Sequence, residues 1–541
     1  MNSVPYRAHR NTLSAEFVNG SDRVSTYYSY ISKRPDAYIA RNVRMEKPER
    51  QKADRTRLVS VLEEYNLRIH NSPKAMESIR ALLRPETLVI IGGQQAGLLT
   101  GPVLVMYKAI TIIQEAKKAS AALGKPVVPV FWIAGEDHDM NEVNHIQVLN
   151  PQGKFEKLSL DSRIQALEGV SHVSISQDDW NEVMEKLEAY LIDTEFKSQL
   201  VGKLREIHQQ SGTLSDAFAR TMAWLFAEHG LVLMDAADPN IRALERPMFR
   251  ELLEQHEALN EMIVKQGEAL VRDGFPLQAE PAEHQVNLFM RSGGRRKLLQ
   301  YEDGRFQDKQ GTESWTKEEL LTFIEEHPER FSNNVFTRPL MQEFLFPVLG
   351  TVLGPAEIAY WGLLKPAFEH LDMEMPVLIP RTEITFVEST VQKHLDKYEL
   401  TAEDVMERYE EKLQAWLKDQ DHIDIEGQFH RVRDEFIRLY RPVVESLKQI
   451  QPGMNQLGNT NMEKILEQIV FLENKAKKAL IDRHGTAMRQ WEKMYASLKP
   501  MGKYQERVYN VFVYLNKYGM QWLEDLIRWD ADDEVHYLMY V

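Results

Sequence analysis

Two rhythms divide the chain. Up to about Glu388, short unbroken apolar runs alternate with helical spacing; beyond it only helical spacing remains. The run Thr87-Leu88-Val89-Ile90-Ile91, stopped by Gly92 and Gly93, predicts a strand buried on both faces of a parallel sheet. From Pro102 to Ala119, Val105, Ala109, Ile112, Ile113 and Ala116 recur at helical spacing, with proline in the first turn where its missing N–H costs nothing. Val127 to Ile133 supplies a second buried strand and completes a βαβ unit, whose crossover is right-handed. Three later runs extend the sheet: Gly230 to Met234 ending in Asp235 and Asp238, Phe346 to Leu353, and Pro376 to Ile379 ending at Pro380 and Arg381, with a helix from Ile358 to Phe368 before the last. An open α/β sheet collects its ligand at the carboxyl ends of such strands, here Gly92 to Gly101 and Ala134 to His145.

The other segments frame that sheet. Residues 1–85 read as polar helices packing on the core, with Lys52 to Ile69 the clearest amphipathic stretch. Residues 86–150 form the first half of the core, 151–334 two polar helix-rich insertions around the strand near 230–238, and 335–387 the second half. In 388–499, Phe429, Val432, Phe436, Leu439, Val443, Leu447 and Ile450 are followed by Met462, Ile465, Ile469, Leu472, Ala476 and Ala479 on the same beat, with Gln451-Pro452-Gly453 as breakers between them. This is the pattern of an antiparallel coiled-coil arm. Residues 500–541 are apolar enough to return to the core.

Composition narrows the chemistry. With 541 residues, 66 Lys and Arg against 81 Asp and Glu, and a net charge of −15, the chain repels polyanions, so nucleic acid is not an expected partner. The absence of cysteine excludes disulfides, thiolate zinc sites and a thiol nucleophile. No apolar run reaches the roughly 18 residues of a membrane span, and Met1 to Arg10 lacks the apolar core of a secretory signal, so a cytoplasmic protein is expected.

Candidate chemistry gathers at the predicted strand ends. The loop Gly92-Gly93-Gln94-Gln95-Ala96-Gly97-Leu98-Leu99-Thr100-Gly101-Pro102 leads into a helix whose amides favour an anion, yet it matches neither the dinucleotide fingerprint nor a P-loop. Glu136-Asp137-His138-Asp139-Met140-Asn141-Glu142-Val143-Asn144-His145 places four carboxylates and two histidines within ten positions, suited to holding an amine or hydroxyl or to base catalysis. His138, Asp139 and His145 lack a diagnostic metal spacing, and no metal site is assigned. Ser292-Gly293-Gly294-Arg295-Arg296-Lys297 reads equally as a phosphate clamp or a charged hairpin turn, and Gly354-Pro355-Ala356-Glu357 as a helix cap or a ligand site that includes Tyr360. Arg381, Thr382, Ile384, Thr385 and Phe386, with Lys503, Tyr504 and Arg507, offer charge and an aromatic face for a nucleotide, or a network of salt bridges.

These stretches, together with Phe131-Trp132-Ile133-Ala134-Gly135 and Gln505-Glu506-Arg507, resemble the BshC family, assigned as the cysteine ligase of bacillithiol biosynthesis. The resemblance implies a Rossmann-type α/β core with connecting-peptide insertions, related to class I aminoacyl-tRNA synthetases, and a coiled-coil arm that forms a homodimer. It implies joining cysteine to the amine of glucosaminyl malate, with ATP, or a bound ADP, as the energy-linked nucleotide. On that reading Thr100, Asp137, His138 and Asp139 are catalytic; Gly93, Gln94, Gln95, Asn141, Glu357 and Tyr360 bind substrate; and Gln490 joins the nucleotide contacts. One departure stands out: Leu98-Leu99-Thr100-Gly101 occupies the place of the synthetase HIGH motif, without its histidines, and no KMSKS is present. That departure keeps a second reading open, a nucleotide-binding protein of the same pathway that is non-catalytic or needs a partner.

Overall fold

The computed structural model describes residues 2–6, 12–31, 35–46, 53–150, 153–160, 167, 169–530 and 536–541. Its internal contacts separate two units, a larger one of Pro5–Ile384 and Glu506–Tyr537 and a smaller one of Met1–Val4, Thr385–Gln505 and Leu538–Val541.

Five parallel strands form the core of the larger unit: β1 (Leu88–Gln94), β2 (Val127–Ile133), β3 (Val232–Asp235), β4 (Val348–Leu353) and β5 (Val377–Pro380), side by side in the order β5-β4-β1-β2-β3. The order reverses beside β1, where an open α/β sheet places its ligand crevice. Helix α1 (Leu104–Leu123) crosses over β1, and Gly92 is required there, since a Cβ would stand 2.8 Å from Ile112 and 3.0 Å from the Val352 carbonyl. The free edge of β3 is closed by Asn66, whose side-chain amide accepts from the Leu233 N–H at 3.2 Å and donates to its carbonyl at 2.9 Å. The amphipathic helix expected from Lys52 begins at Arg55, capped by Asp54; Lys52 lies outside the described residues.

Between β3 and β4 come helices α2 (Pro239–Glu254) and α3 (His256–Arg272) and a five-stranded antiparallel sheet. That sheet stands beside the expected helices of the insertion; its strands mix polar and apolar positions, so their alternation in the sequence is weak. Ser292 to Lys297 is its hairpin turn, with Gly293 and Gly294 at φ 57° and 72°, the backbone a tight two-residue turn demands. Helix α4 (Thr337–Leu345) then leads into β4. The single helix expected over Ile358 to Phe368 is two, α5 (Pro355–Trp361) and Lys365–His370, broken after Gly362, where a Cβ would press on Leu13 at 3.0 Å and on the Tyr28 hydroxyl at 3.1 Å. Of the C-terminal segment, Glu506–Tyr537 belongs to this unit, and Gln114 of α1 donates to the carbonyls of Leu526 and Trp529 at 3.1 and 2.6 Å.

In the smaller unit α6 (Ile425–Ser446) and α7 (Pro452–Arg483) form the expected helical hairpin, followed by α8 (Gly485–Leu498). The buried seam differs from the one read in the sequence. Val444 is buried, and a Cβ on Gly458 would stand 2.7 Å from it, while Val432, Leu439, Val443 and Ile450 face solvent. Close approach at a glycine fixes the rotation of both helices and leaves much of the apolar stripe uncovered.

Candidate active site

The loop after β1 is a strained turn held from a distance. Leu99, Thr100 and Gly101 lie in the left-handed region at φ 47°, 67° and 70°, which is costly for a β-branched threonine. Asn510 holds them there, donating to the carbonyls of Leu99 at 2.8 Å and Gly101 at 2.7 Å, while the Val103 N–H donates to the Tyr509 carbonyl at 2.7 Å. The Thr100 hydroxyl is buried without a hydrogen-bond partner.

Lys108 joins the two halves of the sheet. Rising from the first turns of α1, fully buried, it donates to the Gly93 carbonyl (2.8 Å), Gln94 Oε1 (3.1 Å) and Glu357 Oε2 (2.6 Å). Burial holds the pKa of its ammonium below the ordinary lysine value, against the pull of Glu357. Glu357 also accepts from the Gly354 N–H at 2.7 Å and so caps α5. Burial and then the Glu357 charge raise the Tyr360 hydroxyl, which stays protonated.

The acidic loop after β2 is pinned from both sides. Gln95 donates to Asp137 Oδ2 at 2.7 Å, and the amides of His138 and Asp139 donate to Oδ1 at 2.7 and 3.4 Å. Burial works to raise the Asp137 pKa, but the Gln95 hydrogen bond and the charges of Arg296 and Arg338 prevail, and the carboxyl titrates below its usual range. His138 Nδ1 faces Arg296 Nη1 at 3.2 Å. A guanidinium only donates, so Nδ1 accepts and the ring proton sits on Nε2. Burial and the Arg296 charge keep the His138 pKa below the usual histidine value. Asp139 caps the short helix Met140–Val143 through the Asn141 N–H at 3.1 Å. Gly135 is fixed by close packing, since a Cβ would overlap Ser171 Oγ at 1.9 Å and Asp235 Oδ1 at 2.3 Å.

The strand ends thus bring together Gly93, Gln94, Gln95, Asp137, His138, Glu357 and Tyr360, with Thr100 on the turn that follows β1. Asp139 and Asn141 meet each other at a helix cap on the exposed side of the same loop. The nucleotide candidates are divided. In the larger unit Arg381 is buried and paired through both terminal nitrogens with Glu506, at 2.6 Å each; Thr382 and Ile384 are buried and Arg507 is exposed. In the smaller unit Thr385 and Phe386 are buried, the Phe386 N–H donates to Gln505 at 2.7 Å, Gln490 accepts from Lys397 and Tyr398, Lys503 is exposed, and Tyr504 donates to Glu407 at 3.3 Å under the Lys499 ammonium.

Family models match the chain end to end: the bacillithiol biosynthesis BshC N-terminal Rossmann-like domain over residues 1–382 and the BshC C-terminal coiled-coil domain over 384–541. The chain belongs to the BshC family. Relatives named "Putative cysteine ligase BshC" include one from Bacillus cytotoxicus, 35% identical over 97% of this chain and 96% of the relative, and one from Geobacillus kaustophilus, 37% identical over 95% of each. A third, from Geobacillus sp. strain WCH70, is 36% identical over 98% of both chains.

Within this BshC chain, no group of three or more metal-binding side chains stands together among the described residues. His145 lies in a strand of a separate hairpin, its Nδ1 against Asn144 at 3.1 Å. Among the described residues no helix is long and apolar enough to cross a membrane. Sequence reading missed Lys108, Arg242, Arg338 and Asn510. For Lys108 a signal existed, a lysine inside an otherwise apolar helical stretch; for Asn510 there was none, because its partners lie about 410 positions away.

Proposed function

We propose that this chain is a carbon–nitrogen ligase that joins the carboxyl group of cysteine to the amine of glucosaminyl malate to give bacillithiol, with ATP activating the carboxylate. The observation that carries it is the ionised, hydrogen-bonded Asp137 beside neutral His138 at the carboxyl end of β2, in a family whose members bear the ligase name. Amide formation from a free carboxylate is uphill in water, so an acyl adenylate or acyl phosphate must precede attack by the amine.

In this reading Asp137 holds the sugar ammonium, which gives one proton to water to become the attacking amine, and Gln95 fixes the Asp137 carboxylate. His138, with its proton on Nε2, donates to the oxyanion that develops as nitrogen attacks the acyl carbon. Asp139 spends one oxygen on its helix cap, and the other takes the proton released as the C–N bond forms and AMP or phosphate departs. Thr100 offers its unpartnered hydroxyl from a turn strained into place, at a position where synthetases use histidine. Lys108 holds Gln94 and Glu357, so that substrate meets a preformed wall. The residues named from the sequence for the nucleotide, Arg381, Thr382, Ile384, Thr385, Phe386, Gln490, Lys503, Tyr504 and Arg507, keep that role as part of the proposal, with Arg381 acting through its pair with Glu506. We place the protein in the cytoplasm and as a homodimer through α6 and α7, whose exposed apolar side chains include Leu439, Leu457, Phe471 and Leu472.

Cysteine labelled with oxygen-18 in its carboxyl group tests the activation step. Label appearing in AMP supports an adenylate and label in inorganic phosphate an acyl phosphate; product formed with label in neither overturns ATP activation of cysteine.

A further inference from the structure

Three arginines stand behind the acidic loop, and they differ in what they hold. Arg242 is buried and paired with Glu245 at 2.6 Å. Arg296 lies 3.7 Å over the Phe289 ring, donates to Ser332 Oγ at 2.9 Å and the Asn333 carbonyl at 2.7 Å, and reaches His138 with Nη1. Arg338, second residue of α4, donates its backbone N–H to the Asn334 carbonyl at 3.1 Å, but its side chain donates no hydrogen bond to any described residue. Among the described residues its one ion-pair neighbour is Glu136 Oε1 at 3.5 Å, and its Nε is sealed from water without a partner. Its side chain nevertheless keeps 22% exposure, so its terminal nitrogens open to solvent. Glu136 balances its charge without hydrogen-bonding it: both Glu136 oxygens are buried with no hydrogen bond, and the next guanidinium, Arg242, is 3.9 Å away. Asn333, fully buried, likewise leaves both side-chain polar atoms unpartnered.

A guanidinium whose Nε is sealed without a partner, and whose terminal nitrogens open into a crevice with no described side-chain acceptor bonded to them, is the arrangement of a site that receives an acceptor from outside. The charges that act on Arg338 place it between the two halves of the sheet, since it feels Glu136 and Asp137 from one side and Glu357 and Tyr360 from the other. Arg296 is tied to the same corner, since its Nη2 donates to the Asn333 carbonyl while the Arg338 N–H donates to the adjacent Asn334 carbonyl; burial first, and then the Arg338 charge working against Glu136 and Asp137, bring the Arg296 guanidinium down to about 10. Two like charges pressed together in a cleft are relieved by a ligand with more than one negative charge.

We propose that Arg338, with Arg296 beside it, is the dicarboxylate clamp of the site and binds the malyl group of the amino-sugar substrate. The clamp rests on the ligase reading for the identity of that substrate. A carboxylate is planar and acceptor-only, and its two oxygens match the guanidinium fork. Seated there, the malyl group leaves the sugar amine on the Asp137 side. The ammonium and the carboxylates of one substrate are then held by opposite charges of the same crevice, and the like-charge pair becomes a specificity device.

Calorimetric titration of the full-length protein with free L-malate is the direct test, because it needs no turnover. Malate is expected to bind the wild type and to bind Arg338→Gln at least tenfold more weakly, with Arg338→Lys between them. Equal binding by Arg338→Gln, or no binding by the wild type, overturns the clamp. In steady-state assays Arg338→Gln raises KM for glucosaminyl malate at least tenfold and leaves KM for cysteine unchanged. The penalty disappears with a glucosaminide bearing a neutral aglycone, which a merely structural role would not produce. A rise confined to the cysteine KM assigns Arg338 to the cysteine carboxylate and overturns the proposal. Arg338-dependent malate binding in a protein that forms no bacillithiol would leave the clamp standing and remove the ligase reading; turnover with unchanged malate binding and KM would do the reverse.

Discussion

The ammonium of Lys108 and the carboxylate of Glu357 meet at 2.6 Å where the strand order reverses, one from α1 behind β1 and the other from α5 behind β4. The pair ties the two halves of the sheet together under the crevice, and it keeps the Gln94 side chain and the Gly93 carbonyl in place. Removing the cation strands a carboxylate that is largely shielded. Lys108→Met is therefore expected to cost about 3 kcal/mol in urea unfolding, and adding Glu357→Gln should recover part of the loss. A single variant with the wild-type midpoint would contradict the role of the pair.

Thr100 and Asn510 separate strain from function. Thr100→Gly relieves a left-handed β-branched residue, so its thermal midpoint should be no lower than wild type, while ligation falls with the loss of the hydroxyl. Asn510→Ala leaves two buried carbonyls unpaired and should lose about 2–3 kcal/mol. If Thr100→Gly keeps full activity, the hydroxyl has no part in the reaction.

Asp235, at the carboxyl end of β3, is raised to about 6, chiefly by burial. The folded protein thus binds this proton more tightly than the unfolded chain, whose value is about 3.9. Stability contributed by this group falls as pH rises from about 4 to about 6, and the full deficit of about 3 kcal/mol is present above that window. Asp235→Asn should consequently gain on the wild type between pH 4.5 and pH 7.5, read as the difference in melting temperature. A difference that stays flat across that window would show that the carboxyl is not raised.

What the sequence made legible follows from physics that is local. The strands Leu88–Gln94 and Val127–Ile133 were readable because burial on both faces leaves an unbroken apolar run, and the loop after Ile133 because its charge density follows such a run directly. The antiparallel sheet around Gly293 and Gly294 was not, since its half-exposed strands mix polar and apolar positions. Arg338 was invisible for another reason: nothing near it in sequence distinguishes a guanidinium that stands idle in a crevice from one on the surface. The helical hairpin was readable from its spacing, but its rotation was set by Gly458 against Val444, a contact between helices that periodicity does not encode.

The arm carries the proposed dimer. Replacing Ile465, Ile469 and Leu472 together by Asp places charge on the α7 stripe, where each buried charge costs several kcal/mol, and light scattering should report monomers. A dimer that survives all three changes would move the interface elsewhere.

The most direct measurement incubates the purified protein with cysteine, glucosaminyl malate and ATP and follows bacillithiol and nucleotide products together by mass spectrometry. The account predicts bacillithiol with AMP or ADP formed in equal amount. Nucleotide and both substrates left unconsumed by folded protein would contradict it.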